Sequence, residues 1–297
     1  MTEHLADRES DIGRSVIAGR EFTKMSGGGN DFVVFDDRDG WFPRDRAGPL
    51  VARLCRRGLG VGADAVVLLA SDPAADFRML YYNADGGEAP MCGNAALCIA
   101  RFARMRGAVD RGEMEFLTGS GPFRARVADP DRPEVTLWLV PPRELTLEYP
   151  DLARPPYARV GFVDTSTPHV VALLESKADV EALDLDREGP RFRRDPRWGP
   201  VGTNVNFVAV LDRSRLRMRT YEKGVEDETL SCGTGATASA ILTHLWGRTD
   251  PPVTVETTGG IPLTVDFTPS RDRAGLPSDP RLTGDARVSY RGTLAEV

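Results

Sequence analysis

"ETLSCGTGATASAILTHL", residues 228–245, sets a cysteine directly before a glycine-rich turn and a run of small and apolar residues. The chain builds the same feature earlier, in "EAPMCGNAALCIARFARM", residues 88–105. Cys92 and Cys232 each follow a glutamate by four residues, and each directly precedes a glycine. The spacing predicts helices over 93–106 and 233–246, each beginning at its cysteine.

Outward from the two cysteines the repeat widens. "FRMLYYNADGGEAPMCGNAA" (77–96) echoes "LRMRTYEKGVEDETLSCGTGA" (216–236), and "GGGNDFVVFDD" (27–37) echoes "VGTNVNFVAVLD" (201–212). Both halves read as a strand headed by Asn, an Arg-Met strand, an acidic loop, Cys-Gly and a helix. Two copies of one such unit predict two similar domains. Between them, short runs such as "AVVLLA" (65–70), "VTLWLV" (135–140) and "HVVALL" (169–174) read as strands, and 46–57 and 177–185 as further helices. The class is α+β, with the two domains related by internal pseudo-symmetry. The Pro-rich stretch at 140–156 is the expected crossover. It divides the chain into a poorly ordered extension (1–20), an N-terminal domain (21–145, joined by 282–297) and a C-terminal domain (146–281).

Composition narrows the class of partner. Of 297 residues, 41% are hydrophobic, enough for one large core or two smaller ones. The net charge of −6 gives no basic footprint for nucleic acid. No apolar run approaches the roughly 18 residues of a membrane span, and the N-terminus lacks an apolar signal segment. A cytoplasmic protein is expected, and its four cysteines, with no CxxC pair, as thiols. His4, His169 and His244 are scattered without metal-ligand spacing, so no metal is expected. "GSGPFRA" and "GGGN" lack the context of a nucleotide-binding loop.

A helix N-terminus has unpaired N–H groups and partial positive charge. It favours a thiolate at the capping position and can hold a carboxylate. Each Cys-Gly turn therefore offers an acid/base sulfur beside an anion cradle. Two such turns on opposite faces of one α-carbon would remove a proton from one side and return one to the other, inverting the centre. Such chemistry requires neither a metal nor a pyridoxal cofactor if preorganised donors stabilise the developing charge. Cys55 and Cys98 lack this context and read as structural thiols. A dithiol redox enzyme is disfavoured by the missing CxxC. A non-catalytic binder leaves the duplication unexplained.

"KMSGGGNDFVVFD", "NADGGEAPMCGN", "TPH", "GTNVNFV" and "RTYEKGVEDETLSCGTGATASA" together resemble the diaminopimelate epimerase family, from about Phe22 to the end of the chain. "MCGN" and "SCGTG" alone would indicate the wider group of cofactor-independent racemases; "GNDF", "NADG" and "GVEDET" narrow it. The resemblance implies two domains of β-structure, each wrapped around a central helix, and a homodimer. It also implies interconversion of LL- and meso-diaminopimelate, a step toward lysine and peptidoglycan, without a cofactor. It places Cys92 and Cys232 as the catalytic pair and Gly93-Asn94 and Gly233-Thr234 as the backbone cradle. Asn30, Asn83 and Asn204 fall on substrate-binding asparagines, His169 on a catalytic histidine and Glu222 on the acid beside the reacting amine. This sequence departs from the pattern at Ser26, Ala65, Thr167 and Lys223; Lys223 stands where an arginine is usual for the distal carboxylate. A racemase of another amino acid, such as histidine, is the alternative that shares the mechanism.

Overall fold

The computed structural model describes residues 17–272 and 275–295. The chain forms two compact units, Met1–Leu137 with Asp285–Val297, and Trp138–Gly284. Most of the expected N-terminal extension, residues 1–16, lies outside the described residues. Residues 17–20 belong instead to the first unit, because Ile17 is buried in its core and the Gly19 N–H donates to the Leu294 carbonyl at 2.7 Å. The crossover also falls earlier than the Pro-rich stretch. The strand Glu134–Trp138 ends the first unit's sheet, and by residue 139 the chain is bonded into the second, through Leu139 N–H to Pro280 O at 2.9 Å.

In the first unit, strand Glu21–Gly27 pairs antiparallel with Asn30–Asp36, which pairs parallel with Ala65–Ala70. Ala65–Ala70 pairs antiparallel with Phe77–Asn83, which then runs parallel to Glu113–Thr118. Gly121–Arg126 and Glu134–Trp138 follow antiparallel. The last strand, Ser278–Thr293, pairs with both Glu134–Trp138 and Glu21–Gly27, closing the sheet on itself. A parallel pair needs a crossover connection. Helix Ala47–Cys55 fills the first, and helix Gly93–Met105 fills the second.

The second unit repeats this order. Tyr157–Asp164 pairs antiparallel with Pro168–Leu174, which runs parallel to Asn204–Asp212. Asn204–Asp212 pairs antiparallel with Arg215–Glu222, which runs parallel to Val253–Glu256. Leu263–Thr268 and the start of Ser278–Thr293 follow antiparallel. Helices Lys177–Ala182 and Leu185–Arg193 fill the first crossover, and Gly233–Leu245 the second.

This topology bears out the echo between 77–96 and 216–236 and corrects the one between 27–37 and 201–212. Phe77–Asn83 and Arg215–Glu222 occupy equivalent places, as do the two cysteine-headed helices. Asn30–Asp36, however, is equivalent to Pro168–Leu174, and Asn204–Asp212 to Ala65–Ala70. The sequences at 27–37 and 201–212 look alike because each strand follows a glycine turn, not because the strands share a position.

Each second-crossover helix is buried on all sides, from Ala95 to Ala103 in one unit and from Gly235 to Thr243 in the other. Small residues such as Ala96, Ala100, Ala236 and Ala240 let the surrounding strands approach. The second helix also buries hydroxyls. They are satisfied along its own backbone: Ser239 Oγ donates to Gly235 O at 2.7 Å and Thr243 Oγ1 to Ser239 O at 2.8 Å.

Candidate active site

Cys92 and Cys232 take extended backbone angles (φ −142°, ψ 124° and φ −135°, ψ 108°) and stand at the N-cap of their helices. Neither helix has an acidic residue in its first turn, so its positive end faces no carboxylate of its own. An N-cap is usually Ser, Thr, Asp or Asn, whose oxygen satisfies the first-turn N–H groups. Cysteine does this weakly. Cys232 Sγ accepts from Gly235 N–H at 3.4 Å, and the Cys92 side chain makes no cap bond.

In the first unit, the side-chain amide of Asn94 donates to Gly28 O at 3.1 Å and to Asn30 Oδ1 at 2.9 Å. Asn30 in turn donates to Asp64 Oδ2 at 3.0 Å. Gly28 has φ +55°, and a Cβ there would lie 2.1 Å from Asn94 Oδ1, so this contact requires glycine. Behind Asn30 is a charge cluster: Arg57 pairs with Asp31 at 2.5 Å and Asp64 at 2.8 Å, and Lys24 pairs with Asp31 at 2.7 Å. Burial pushes the Asp31 carboxyl up, but Arg57 and Lys24 outweigh it and hold the pKa at about 2. The side chain of Asn83 is exposed and has no hydrogen-bond partner among the described residues. Ala65 sits opposite both Asn83 and Phe32 and presents no polar group.

In the second unit, Cys232 is 7% exposed and Glu222 stands nearby. Burial pushes the Cys232 thiol up to about 12, with the Glu222 charge acting in the same direction. Burial also raises the pKa of Glu222 itself. His169 is fully buried, its Nε2 2.9 Å from Thr234 Oγ1 and its Nδ1 3.0 Å from Asn206 Nδ2. Burial, with a smaller effect from Lys223, brings its pKa down to about 3, so the ring is neutral. Thr234 Oγ1 lies 3.5 Å from Cys232 Sγ. His169 therefore reaches Cys232 through Thr234, with both ring nitrogens within hydrogen-bond distance of a neighbour.

Asn204 is buried and held by three neighbours. Its amide nitrogen reaches Pro168 O at 3.2 Å and Thr167 Oγ1 at 3.4 Å, and its oxygen accepts from Lys223 N–H at 2.8 Å. It ties the start of the His169 strand to the turn after Glu222. Thr167, where this sequence departs from the family pattern, is one of those ties. The Lys223 ammonium has no ion pair among the described residues.

Sequence reasoning missed Asp64, Thr165, Asn206 and Thr220. Thr165 Oγ1 donates to Thr234 O at 2.9 Å, and Thr220 Oγ1 to Asn206 Oδ1 at 3.0 Å. The signal for Asn206 was present: residues two apart on a strand share a face, so Asn206 accompanies Asn204.

A family model described as diaminopimelate epimerase matches residues 22–139 and 161–270. Among curated proteins, the diaminopimelate epimerase of Gemmatimonas aurantiaca is 38% identical over 283 residues, 92% of this chain and 99% of that one. Those of Chlorobaculum tepidum and Aquifex aeolicus are each 38% identical, covering 91% and 93% of this chain and 99% and 98% of their own. Among solved structures, a phenazine biosynthesis protein of the PhzF family from Bacillus anthracis matches with a TM-score of 0.68 at 12% identity, covering 93% of this chain and 98% of its own. A hydroxyproline epimerase from Agrobacterium vitis matches at 0.56 and 19% identity, covering 95% of this chain and 94% of its own. At these identities the structural matches speak for the fold alone.

Proposed function

The chain belongs to the diaminopimelate epimerase family, and from that premise we propose how its residues interconvert LL- and meso-diaminopimelate. The reaction is an isomerisation with no net change in protons or electrons. One cysteine, as thiolate, takes the α-proton; the C–H bond breaks and an S–H bond forms. The electron pair left on carbon delocalises into the α-carboxylate. The other cysteine, as thiol, then protonates the opposite face and becomes the thiolate. Cys92 and Cys232 serve as this pair.

The observation that carries the reading is the duplicated helix start. Each helix presents its first-turn N–H groups, from Gly93-Asn94 or Gly233-Thr234, beside a sulfur and with no competing acidic residue. A carboxylate whose negative charge grows during proton removal is the ligand such donors favour. Glu222, half-buried and without an ion pair among the described residues, is placed to receive the reacting ammonium. Asn30 and Asn94 shape the first cradle, Asn204 holds the Glu222 turn, and Asn83 and Lys223 remain available for the distal end of the substrate. No helix of the described residues is long and apolar enough to cross a membrane. A cytoplasmic homodimer completes the proposal, and sedimentation of the purified chain tests the dimer.

The reaction is tested with LL-diaminopimelate in deuterated water, followed by NMR. Wild type should place deuterium at an α-carbon while forming the meso isomer. Cys92→Ala and Cys232→Ala should each abolish epimerisation. Substantial epimerisation by either single variant would exclude the two-thiol route.

A further inference from the structure

We propose that Asn206 is a positioning residue: it locks His169 in the neutral tautomer protonated at Nε2, and so directs the Thr234 hydroxyl proton toward Cys232 Sγ. The inference rests on Cys232 being one of the reacting thiols. It begins from a group that can only accept. The Val170 carbonyl lies 3.1 Å from Asn206 Nδ2 and can be bonded there only by an N–H, which fixes which end of the amide is nitrogen. On its other side, Thr220 Oγ1 donates to Asn206 Oδ1 at 3.0 Å, which agrees with the same orientation. The second N–H of Nδ2 then points at His169 Nδ1, 3.0 Å away.

A nitrogen that accepts a hydrogen bond carries no proton, so the proton of the neutral ring is on Nε2. There it is donated to Thr234 Oγ1 at 2.9 Å. The threonine oxygen, having accepted, turns its own proton toward Cys232 Sγ at 3.5 Å. Gly235 N–H supplies a second donor to the same sulfur at 3.4 Å. The sulfur is therefore met by donors from two directions, and donors stabilise the thiolate over the thiol. Most of this is buried: Asn206 and His169 are 0% exposed and Thr220 is 2% exposed, while Thr234 is half-buried.

The charged groups near this chain are Glu222, which opposes the Cys232 thiolate, and Lys223, which opposes a cationic His169. Asn206 adds a neutral constraint that neither charge supplies. It also removes His169 as a base, since Nε2 already holds a proton and Nδ1 faces an N–H. The equivalent strand position in the first unit, in Ala65–Ala70, carries an aliphatic side chain, so the device belongs to the second cysteine alone.

The test reads the lock without turnover, so its failure is separable from failure of the epimerase reading. The sequence has only three histidines, so ¹⁵N-histidine NMR of the whole chain resolves the His169 ring. In wild type, Nε2 should show the protonated and Nδ1 the unprotonated chemical shift, unchanged between about pH 5 and 8. In Asn206→Asp, a carboxylate faces Nδ1 and the proton should move there. That variant should lose kcat by about tenfold or more, with KM held within about twofold. Thr234→Val should lose about tenfold more kcat than Thr234→Ser, which keeps the hydroxyl. A wild-type ring protonated at Nδ1, a ring that titrates in that window, or wild-type kcat in Asn206→Asp would overturn the proposal. If Asn206→Asp fails to fold, the wild-type spectrum and the Thr234 pair still decide.

Discussion

The Glu222 carboxylate opposes ionisation of the Cys232 thiol and adds to the larger effect of burial on that sulfur. Removing its charge should bring the thiol pKa down from about 12. Thiolate absorbance of Glu222→Gln in a Cys92→Ser background should therefore rise at lower pH than in Cys92→Ser alone. An unchanged titration would leave burial as the whole effect and remove the Glu222 charge from it. Catalysis should still fall, since the reacting ammonium loses its counter-ion.

Cys98 tests whether a thiol matters by position or by presence. It is fully buried on the cysteine-headed helix of the first unit, and burial raises its pKa well above that of a free thiol. Cys98→Ala should cost about 1–2 kcal/mol of stability through lost packing. Its kcat should stay within about twofold of wild type, because surface-remote core changes act on folding. Denaturant titration beside the deuterium assay separates the two effects, and a loss of epimerisation as complete as in Cys92→Ala would contradict the structural role.

Gly28 is a position where one methyl group should disturb the site. Alanine there meets Asn94 Oδ1 at 2.1 Å in a left-handed backbone conformation. Gly28→Ala should destabilise by about 1–3 kcal/mol. It should also lower kcat/KM by about tenfold or more, because Asn94 and its cradle must shift. Wild-type kcat/KM in a folded Gly28→Ala protein would remove Asn94 from the cradle.

The Asp31 cluster makes the first unit sensitive to acid. The native pKa is depressed from 3.8 to about 2. A depressed carboxyl stabilises the fold fully above its unfolded pKa, and that contribution fades as pH falls from about 4 toward 2. Arg57 is largely exposed, so solvent screening reduces the contribution to about 1–2 kcal/mol. Asp31→Asn should lose that amount at neutral pH and show a flatter dependence of stability between pH 4 and 2. Thermal melts across that range make the comparison.

What the sequence made legible follows local chemistry. Cys92 and Cys232 announced their helices because glycine and small residues mark a helix start, and the Arg-Met strands announced their equivalence because both lead directly into that start. The pairing of Asn30 with Asn204 misled, since a glycine turn before a strand is a local pattern while strand equivalence is fixed by distant partners. Only the register, with His169 opposite Asn204 and Phe32 opposite Ala65, reveals it. The full burial of His169 and its contact with Asn206 are products of tertiary packing, which no spacing displays. Asp64 and Thr165 were illegible for the same reason: each acts through a residue tens of positions away.

The proposed function assigns Lys223 to the second amino-acid centre of diaminopimelate. Its backbone N–H is fixed by Asn204 at 2.8 Å, so the root of the side chain is anchored while the ammonium stays without an ion pair among the described residues. A half-buried cation without an ion pair among the described residues is suited to an anionic ligand. Lys223→Ala should therefore raise KM for LL-diaminopimelate by on the order of 1.5–3 kcal/mol, the worth of a charge-assisted hydrogen bond, with a smaller change in kcat. Lys223→Arg should keep or improve kcat/KM, because the guanidinium fork matches a carboxylate in two bonds where the ammonium offers a point charge. Competition separates distal recognition from cradle binding: lysine, which lacks the second carboxylate, should compete weakly with diaminopimelate in wild type and no more weakly in Lys223→Ala. Wild-type KM in Lys223→Ala would move the distal clamp to another residue, with Asn83 the next to test, since its side chain is exposed and equivalent in the fold to Glu222.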